Sequence, residues 1–280
     1  MTSRRLMSSR WVAFVAAAVF ACPAAAQTQP DGGQGLRATD LLAVQLYAVG
    51  GAFIPFAGNS SVSAFDATDP GALPTSSQSG GVSSAKPVFG VRVDAPMLWY
   101  MRDEQHLGFS AFFETGIQSG FGQASFNQSF QNTSLTAGDF GTSSVREYFQ
   151  IPIFVGITVP FADSSSSPRA LFDLYGGLTL DSWSQVLQGS EANAPSQQGF
   201  YGENRRFSAD PTIGFGLRVP VGSLDAGLPL FFGLNGELQF RPGSVVKADS
   251  NNFAVSYFGT SEPQTNLVVL ARFGIAFGSR

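Results

Sequence analysis

The stretch that decides the fold is Pro229-Leu230-Phe231-Phe232-Gly233-Leu234-Asn235-Gly236-Glu237-Leu238-Gln239-Phe240-Arg241. Leu230, Phe232, Leu234, Leu238 and Phe240 occupy alternate positions. Asn235, Glu237, Gln239 and Arg241 occupy the positions between them. Alternation with a period of two puts each kind on its own face of a β-strand, because successive side chains point to opposite sides. A helix, repeating every 3.6 residues, would scatter both sets around its axis.

Working outward, seven more segments carry the same period, roughly 41–54, 88–97, 106–117, 145–159, 170–182, 210–219 and 265–277. Their apolar faces include Val44 and Leu46, Phe89 and Val91, Phe109 and Ile117, Ile153 and Val155, Leu174 and Leu178, Ile213 and Phe215, and Phe273 and Ile275. The opposite faces carry Gln45 and Tyr47, Arg92 and Asp94, Ser110 and Glu114, and Gln150 and Thr158. They continue with Asp173, Tyr175 and Asp181, then Thr212 and Arg218, and finally Arg272. Gly214, Gly216 and Gly233 fall on the charged faces, which suits a narrow, crowded interior.

The connections alternate in length. Roughly 55–86, 118–144, 183–208 and 242–264 are long and rich in Ser, Gly, Asn and Gln, whereas 98–105, 160–169 and 220–228 are short. Long–short alternation around an even number of antiparallel strands is the pattern of a transmembrane β-barrel, whose strands need about 9–11 residues to cross. The expected fold is all-β: a closed antiparallel eight-stranded transmembrane β-barrel. A secreted soluble barrel or sandwich would alternate too. It would bury its apolar face, put charge outside, and have no reason to gather long loops at one end. Trp99 and Tyr100 at a short-turn end and Trp183 at a long-loop end fit aromatic residues at two membrane interfaces.

Composition agrees. Of 280 residues 44% are hydrophobic and only 13% charged, which excludes a disordered chain. No apolar run reaches the ~18 residues of a membrane helix. Residues 1–26 read as a secretory signal peptide, with Arg4, Arg5 and Arg10, an apolar Trp11–Ala21 segment, and Ala24 and Ala26 before Gln27. Residues 27–40 are a polar N-terminal tether, and 41–280 form the barrel domain. The single cysteine, Cys22, lies in the signal, so no disulfide framework exists. Of the 16 Lys and Arg, three lie in the signal, which leaves 13 against 20 Asp and Glu in the exported chain. That acidic balance argues against a nucleic-acid partner.

The chain resembles the small eight-stranded outer-membrane β-barrel proteins, the OmpA/OmpX-like barrel superfamily, over nearly all of its exported length. Tyr148-Phe149-Gln150-Ile151-Pro152 resembles a strand sequence of such barrels. Thr212-Ile213-Gly214-Phe215-Gly216-Leu217 is similar to the Gly-alternating strand after the third long loop. Phe277 is similar to the aromatic C-terminal signal read by the barrel assembly machinery, although Gly278-Ser279-Arg280 follow it here. The resemblance implies a barrel-only member in the outer membrane of a diderm bacterium, in contact with lipid and lipopolysaccharide.

An eight-stranded barrel has an interior just filled by side chains, and charges inside it must pair. Strand direction sets Asp173 with Arg218, Glu237 with Arg272, and Arg92 with Glu114 at matching depths, as structural pairs that plug the lumen. The one histidine, His106, lies at a short turn and reads as a solvated residue rather than a general base. No catalytic residue, cofactor or metal site is expected. Pro152 is expected to sit at a β-bulge, because proline lacks a ladder donor. The long loops, with Phe121, Phe126 and Phe130 in one and Phe200, Tyr201, Arg205 and Arg206 in another, are left to carry the function. The expected role is a non-enzymatic surface protein for envelope integrity or surface interaction; the alternative is a small diffusion channel.

Overall fold

The computed structural model describes residues 43–57, 59–66, 76–81, 85–101, 107–120, 123–125, 130–132, 139–162, 168–190, 199–223, 228–250, 255–261 and 263–277. The expected export signal and tether, His106, Phe121 and Phe126 lie outside them. The strands are β1 (Val44–Ala57), β2 (Asn59–Asp66), β3 (Ser76–Gly81), β4 (Lys86–Met101), β5 (Leu107–Gly120), β6 (Gln123–Ser125), β7 (Phe130–Asn132), β8 (Asp139–Ala162), β9 (Pro168–Ser190), β10 (Gly199–Ser223), β11 (Pro229–Arg241), β12 (Ser244–Ser250), β13 (Val255–Ser261) and β14 (Gln264–Phe277).

Eight of these form an antiparallel ring. Around it run β11, β14, β1, β4, β5, β8, β9 and β10, and β10 pairs back onto β11. The first and last strands meet along their length, from Val44 opposite Phe277 to Ile54 opposite Leu267. Each of the eight therefore has a bonded neighbour on both sides, which leaves no ring strand as an edge.

With both edges bonded, a strand differs only in its two faces, and here they are inverted relative to a soluble protein. Ile117, Val155 and Phe215 are 57, 58 and 58% exposed, with Phe89, Ile213 and Phe273 also outside. Every polar residue picked out on the opposite faces, from Gln45 to Arg272, is buried. Interior glycines make the room. A Cβ at Gly214 would lie 2.5 Å from the Tyr175 ring, and one at Gly216 would lie 2.9 Å from Nη2 of Arg272.

Two expectations need correction. Pro152 stands opposite Thr179 in a stretch of the β8–β9 ladder that keeps one register, and the register shifts fall instead between Glu147 and Phe149 and between Phe161 and Ala162. On the other side the β5–β8 ladder keeps one register from Thr115↔Ile153 to Gln118↔Gln150 but is not paired between them. The proline thus interrupts the pairing on one side and inserts no extra residue. The second correction concerns 183–208, expected as a loop. β9 and β10 stay paired from Leu171↔Arg218 to Ser190↔Gly199, so most of that segment is strand. Beyond the apolar belt no face is obliged to be apolar, and the period fades although the backbone ladder goes on.

At this end β10 passes from β11 to β12, with Tyr201 opposite Asp249, and β13, β2 and β3 continue the sheet. The 25 residues of β10 extend about 80 Å at ~3.3 Å per residue. Replacing Gly214 by Val should overpack the Tyr175 ring and lower stability by about 1–3 kcal/mol. Urea titration of the refolded protein would show this as a lower midpoint, while Ile213→Val on the outer face should leave it nearly unchanged.

Candidate functional site

The site is the interior itself. Among the described residues its walls bury Lys86, Arg92, Arg218, Arg241 and Arg272 together with Asp94, Glu114, Glu147, Asp173, Asp181, Asp210 and Glu237. An isolated charge in such a place is very costly, so each must find a partner.

Toward the short connections, Arg218 reaches from β10 across the ring. Its Nη2 donates to Asp173 at 2.5 Å and to Thr158 at 2.8 Å. Its Nη1 donates to Gln45 at 2.6 Å and to the Tyr47 hydroxyl at 2.7 Å on the first strand. Arg272, which like Arg218 stands opposite Gly233, donates to Asp173 at 2.7 Å and to Glu114 at 3.1 Å, and lies over the Tyr47 ring. Arg92 donates to Glu114 at 2.6 Å and through both Nη atoms to Glu237 at 2.5 and 3.0 Å. The Tyr175 hydroxyl adds a bond to Glu237 at 2.9 Å.

Toward the long connections, Gln118 donates to Gln150 at 2.7 Å, and Gln239 to Asp210 at 2.9 Å. Above them Arg241 is bonded to Asp181 and to Glu147, the latter at 3.0 Å, with Asp210 at 3.5 Å. Lys86 completes the group, 4.0 Å from Glu147 and donating to the Val145 carbonyl at 2.8 Å. The Phe53 and Trp183 rings flank the Arg241 guanidinium at 5.2 and 5.1 Å.

The six charges named from sequence are thus brought into one network. Asp173 meets Arg218, and Arg92 meets Glu114. Glu237 and Arg272 exchange partners: Glu237 is held by Arg92, and Arg272 turns to Asp173 and Glu114. Their strands are neighbours, but the register sets Arg272 opposite Gly233 and Glu237 opposite Val268, four residues apart along the strand, so the expected matching depth does not hold. Trp183 is corrected outright. It is fully buried, donating through Nε1 to Ser208 at 3.0 Å, because it shares the inward parity of Asp181. Trp99 and Tyr100 are 56% exposed at the end of β4, with Tyr100 stacked on Phe109, and Phe277 is exposed at the end of β14.

Sequence reasoning passed over Lys86, Glu147 and Asp210. Lys86 shares parity with Arg92, and Asp210 with Thr212, so that signal was present. Glu147 was hidden, because the register shift beside it reverses the parity of β8.

A second cluster lies outside the ring, beyond the apolar belt, which on β10 ends at Phe207. Glu203 accepts hydrogen bonds from the Tyr148 and Tyr201 hydroxyls, both at 2.5 Å. Arg205 stacks on the Tyr148 ring at 4.3 Å, and Arg206 donates to the Gly243 carbonyl at 2.9 Å. Tyr201, Arg205 and Arg206, expected in a loop, are therefore on a paired strand. The two phenols hold the Glu203 carboxyl down to about 2.

No family model matches the chain, and no curated protein matches it. Solved structures do. The outer membrane protease OmpT of Escherichia coli is similar at 8% identity and a TM-score of 0.41, over 87% of this chain and 99% of that one. Ail, the attachment invasion locus protein of Yersinia pestis, is similar at 8% identity and 0.24, over 81% and 98%. A Pseudomonas aeruginosa FadL homologue is similar at 10% identity and 0.25, over 90% and 93%. OmpT and Ail are small outer-membrane β-barrel proteins, the class the sequence resembles. The expectation that the chain is not an enzyme is corrected here. One of these structures is a protease, so the likeness gives no ground for excluding catalysis, and at this identity it transfers no catalytic residue.

Two outcomes are expected. Arg272→Ala leaves the buried Glu114 and Asp173 short of a partner and should cost about 3–5 kcal/mol in unfolding free energy. For Glu203, a depressed carboxyl contributes stability above its ordinary range and loses it only as pH falls toward about 2. Carboxyl carbon NMR in micelles should find that midpoint near 2, and Tyr148→Phe should raise it.

Proposed function

We propose that the ring is a closed transmembrane β-barrel of the outer membrane, plugged by its ion-pair network, which carries its long strand extensions to the cell surface for envelope integrity or surface interaction. The observation that carries this is the inversion of polarity: exposed Ile117, Val155 and Phe215 outside, buried Arg92, Glu114 and Arg272 within. Water would penalise such an outer face, whereas lipid favours it, and only a structure with every backbone group bonded can cross lipid. Trp99 and Tyr100 would lie at the interface on the short-connection side. The export signal would deliver the chain, Phe277 would serve the barrel assembly machinery, and lipid and lipopolysaccharide would surround the belt.

The network also bears on conduction. Arg92, Arg218 and Arg272 each bond across the interior, to Glu237, Gln45 and Glu114. The mature protein, residues 27–280, should insert into a planar bilayer with a silent baseline, and discrete reproducible steps would favour a small diffusion channel instead. Trp183→Phe leaves Trp99 as the one tryptophan of the mature chain. Lipids brominated in the acyl chain should quench Trp99 strongly and Trp183 weakly; an unquenched Trp99 would return the fold to a soluble setting.

A further inference from the structure

Among the described residues, the buried charges toward the short connections do not balance. Arg92, Arg218 and Arg272 face four carboxyl groups, Asp94, Glu114, Asp173 and Glu237. Three of those carboxyls hold an arginine at 2.7 Å or closer: Glu114 and Glu237 hold Arg92, and Asp173 holds Arg218 and Arg272. Asp94 is the fourth. Its Oδ2 lies 3.3 Å from Arg218 and 3.5 Å from Arg272, and its Oδ1 has no hydrogen-bond partner although the side chain is only 4% exposed.

The register adds a second observation. Asp94 on β4 stands directly opposite Glu114 on β5, and both point inward. Directly opposed residues have Cβ atoms about 4.5–5.5 Å apart, so like charges there repel. Both side chains are buried, Glu114 completely, so water does not relieve that repulsion. Neither carboxyl group can donate to the other unless one of them carries a proton.

We propose that Asp94 and Glu114 form a proton-binding site, one proton shared between two carboxyls, which joins the three arginines as the fourth positive charge of this cluster. With that proton the three arginines face three carboxylates and a neutral acid. Release sends the proton to water, leaves two carboxylates side by side, and turns a balanced cluster of these seven described groups into one with a net negative charge. The site rests on the reading of the interior as a closed plug.

The remaining groups around the pair do not remove the need for the proton. On β4 and β10, Arg92 and Arg218 are already engaged, as is Arg272 on β14. On β9 and β11, Asp173 and Glu237 add negative charge. The phenols of Tyr47 on β1 and Tyr175 on β9 donate or accept without supplying a charge, and β8 presents only the Thr158 hydroxyl.

The test is infrared difference spectroscopy of the refolded mature protein in micelles at neutral pH. The wild type should show the carbonyl stretch of a protonated carboxyl, shifted by exchange into heavy water. Asp94→Asn should lose the intensity of a single carboxyl, and so should Glu114→Gln, because either change removes the fourth acid. A wild type without the band, or a band untouched in both variants, overturns the site. Stability gives an independent reading. If folding holds a proton, the wild-type folding constant falls by up to about tenfold per pH unit relative to Asp94→Asn as pH rises through neutrality. Parallel pH profiles would overturn the site too. A protein that keeps the band yet conducts would unseat the plug and leave the proton site standing.

Discussion

A strand with a bonded neighbour on each side has no edge left to satisfy, and the rest of this structure depends on that closure. The pairing of β10 with β11 and of β14 with β1 turns the sheet into a ring with an inside and an outside. Once that division exists, the alternation of each strand has to choose a direction. All eight strands make the same choice, with charge inward and apolar side chains outward. One strand set one residue out of step would turn a row such as Arg92 and Asp94 to the outside and put Val91 and Val93 within.

The inside is small, and its chemistry follows from that. Eight strands leave room for side chains and little else. Arginine suits the space because its flat, forked head meets carboxylates from several walls at once. Arg218 joins β10 to β9, β8 and β1, and Arg272 joins β14 to β5 and β9. The glycines at 214 and 216 belong to the same arrangement, since a larger residue would strike Tyr175 or Arg272. Such a network adds little over an apolar core, yet it tolerates no missing member. It ties strands that are distant around the ring to one another and so specifies one packing of the interior.

The extensions follow a different rule. Beyond the exposed apolar rows the alternation of polar and apolar residues fades, so polarity ceases to report direction. β8, β9 and β10 continue as paired strands, and clusters such as Tyr148, Glu203 and Arg205 occupy the outer wall. Trp183 marks the change. As an aromatic at the end of a belt it read as an interface residue, but its neighbours set it inside, against Arg241.

Within the belt, the sequence by itself determined which residues are strand and which face each one occupies, because alternation is a local property that 229–241 displays in full. It also settled that the charges on those faces must be mutual partners, since a buried charge left unpaired is very costly. Only the tertiary structure decided which charge meets which, for a side chain as long as arginine spans the ring and selects by distance rather than strand order. It alone revealed Glu147, because a register shift in β8 reverses inside and outside without any mark in the composition. It alone extended β9 and β10, because backbone pairing continues where hydrophobic contrast, the one signal a single sequence carries, has ended.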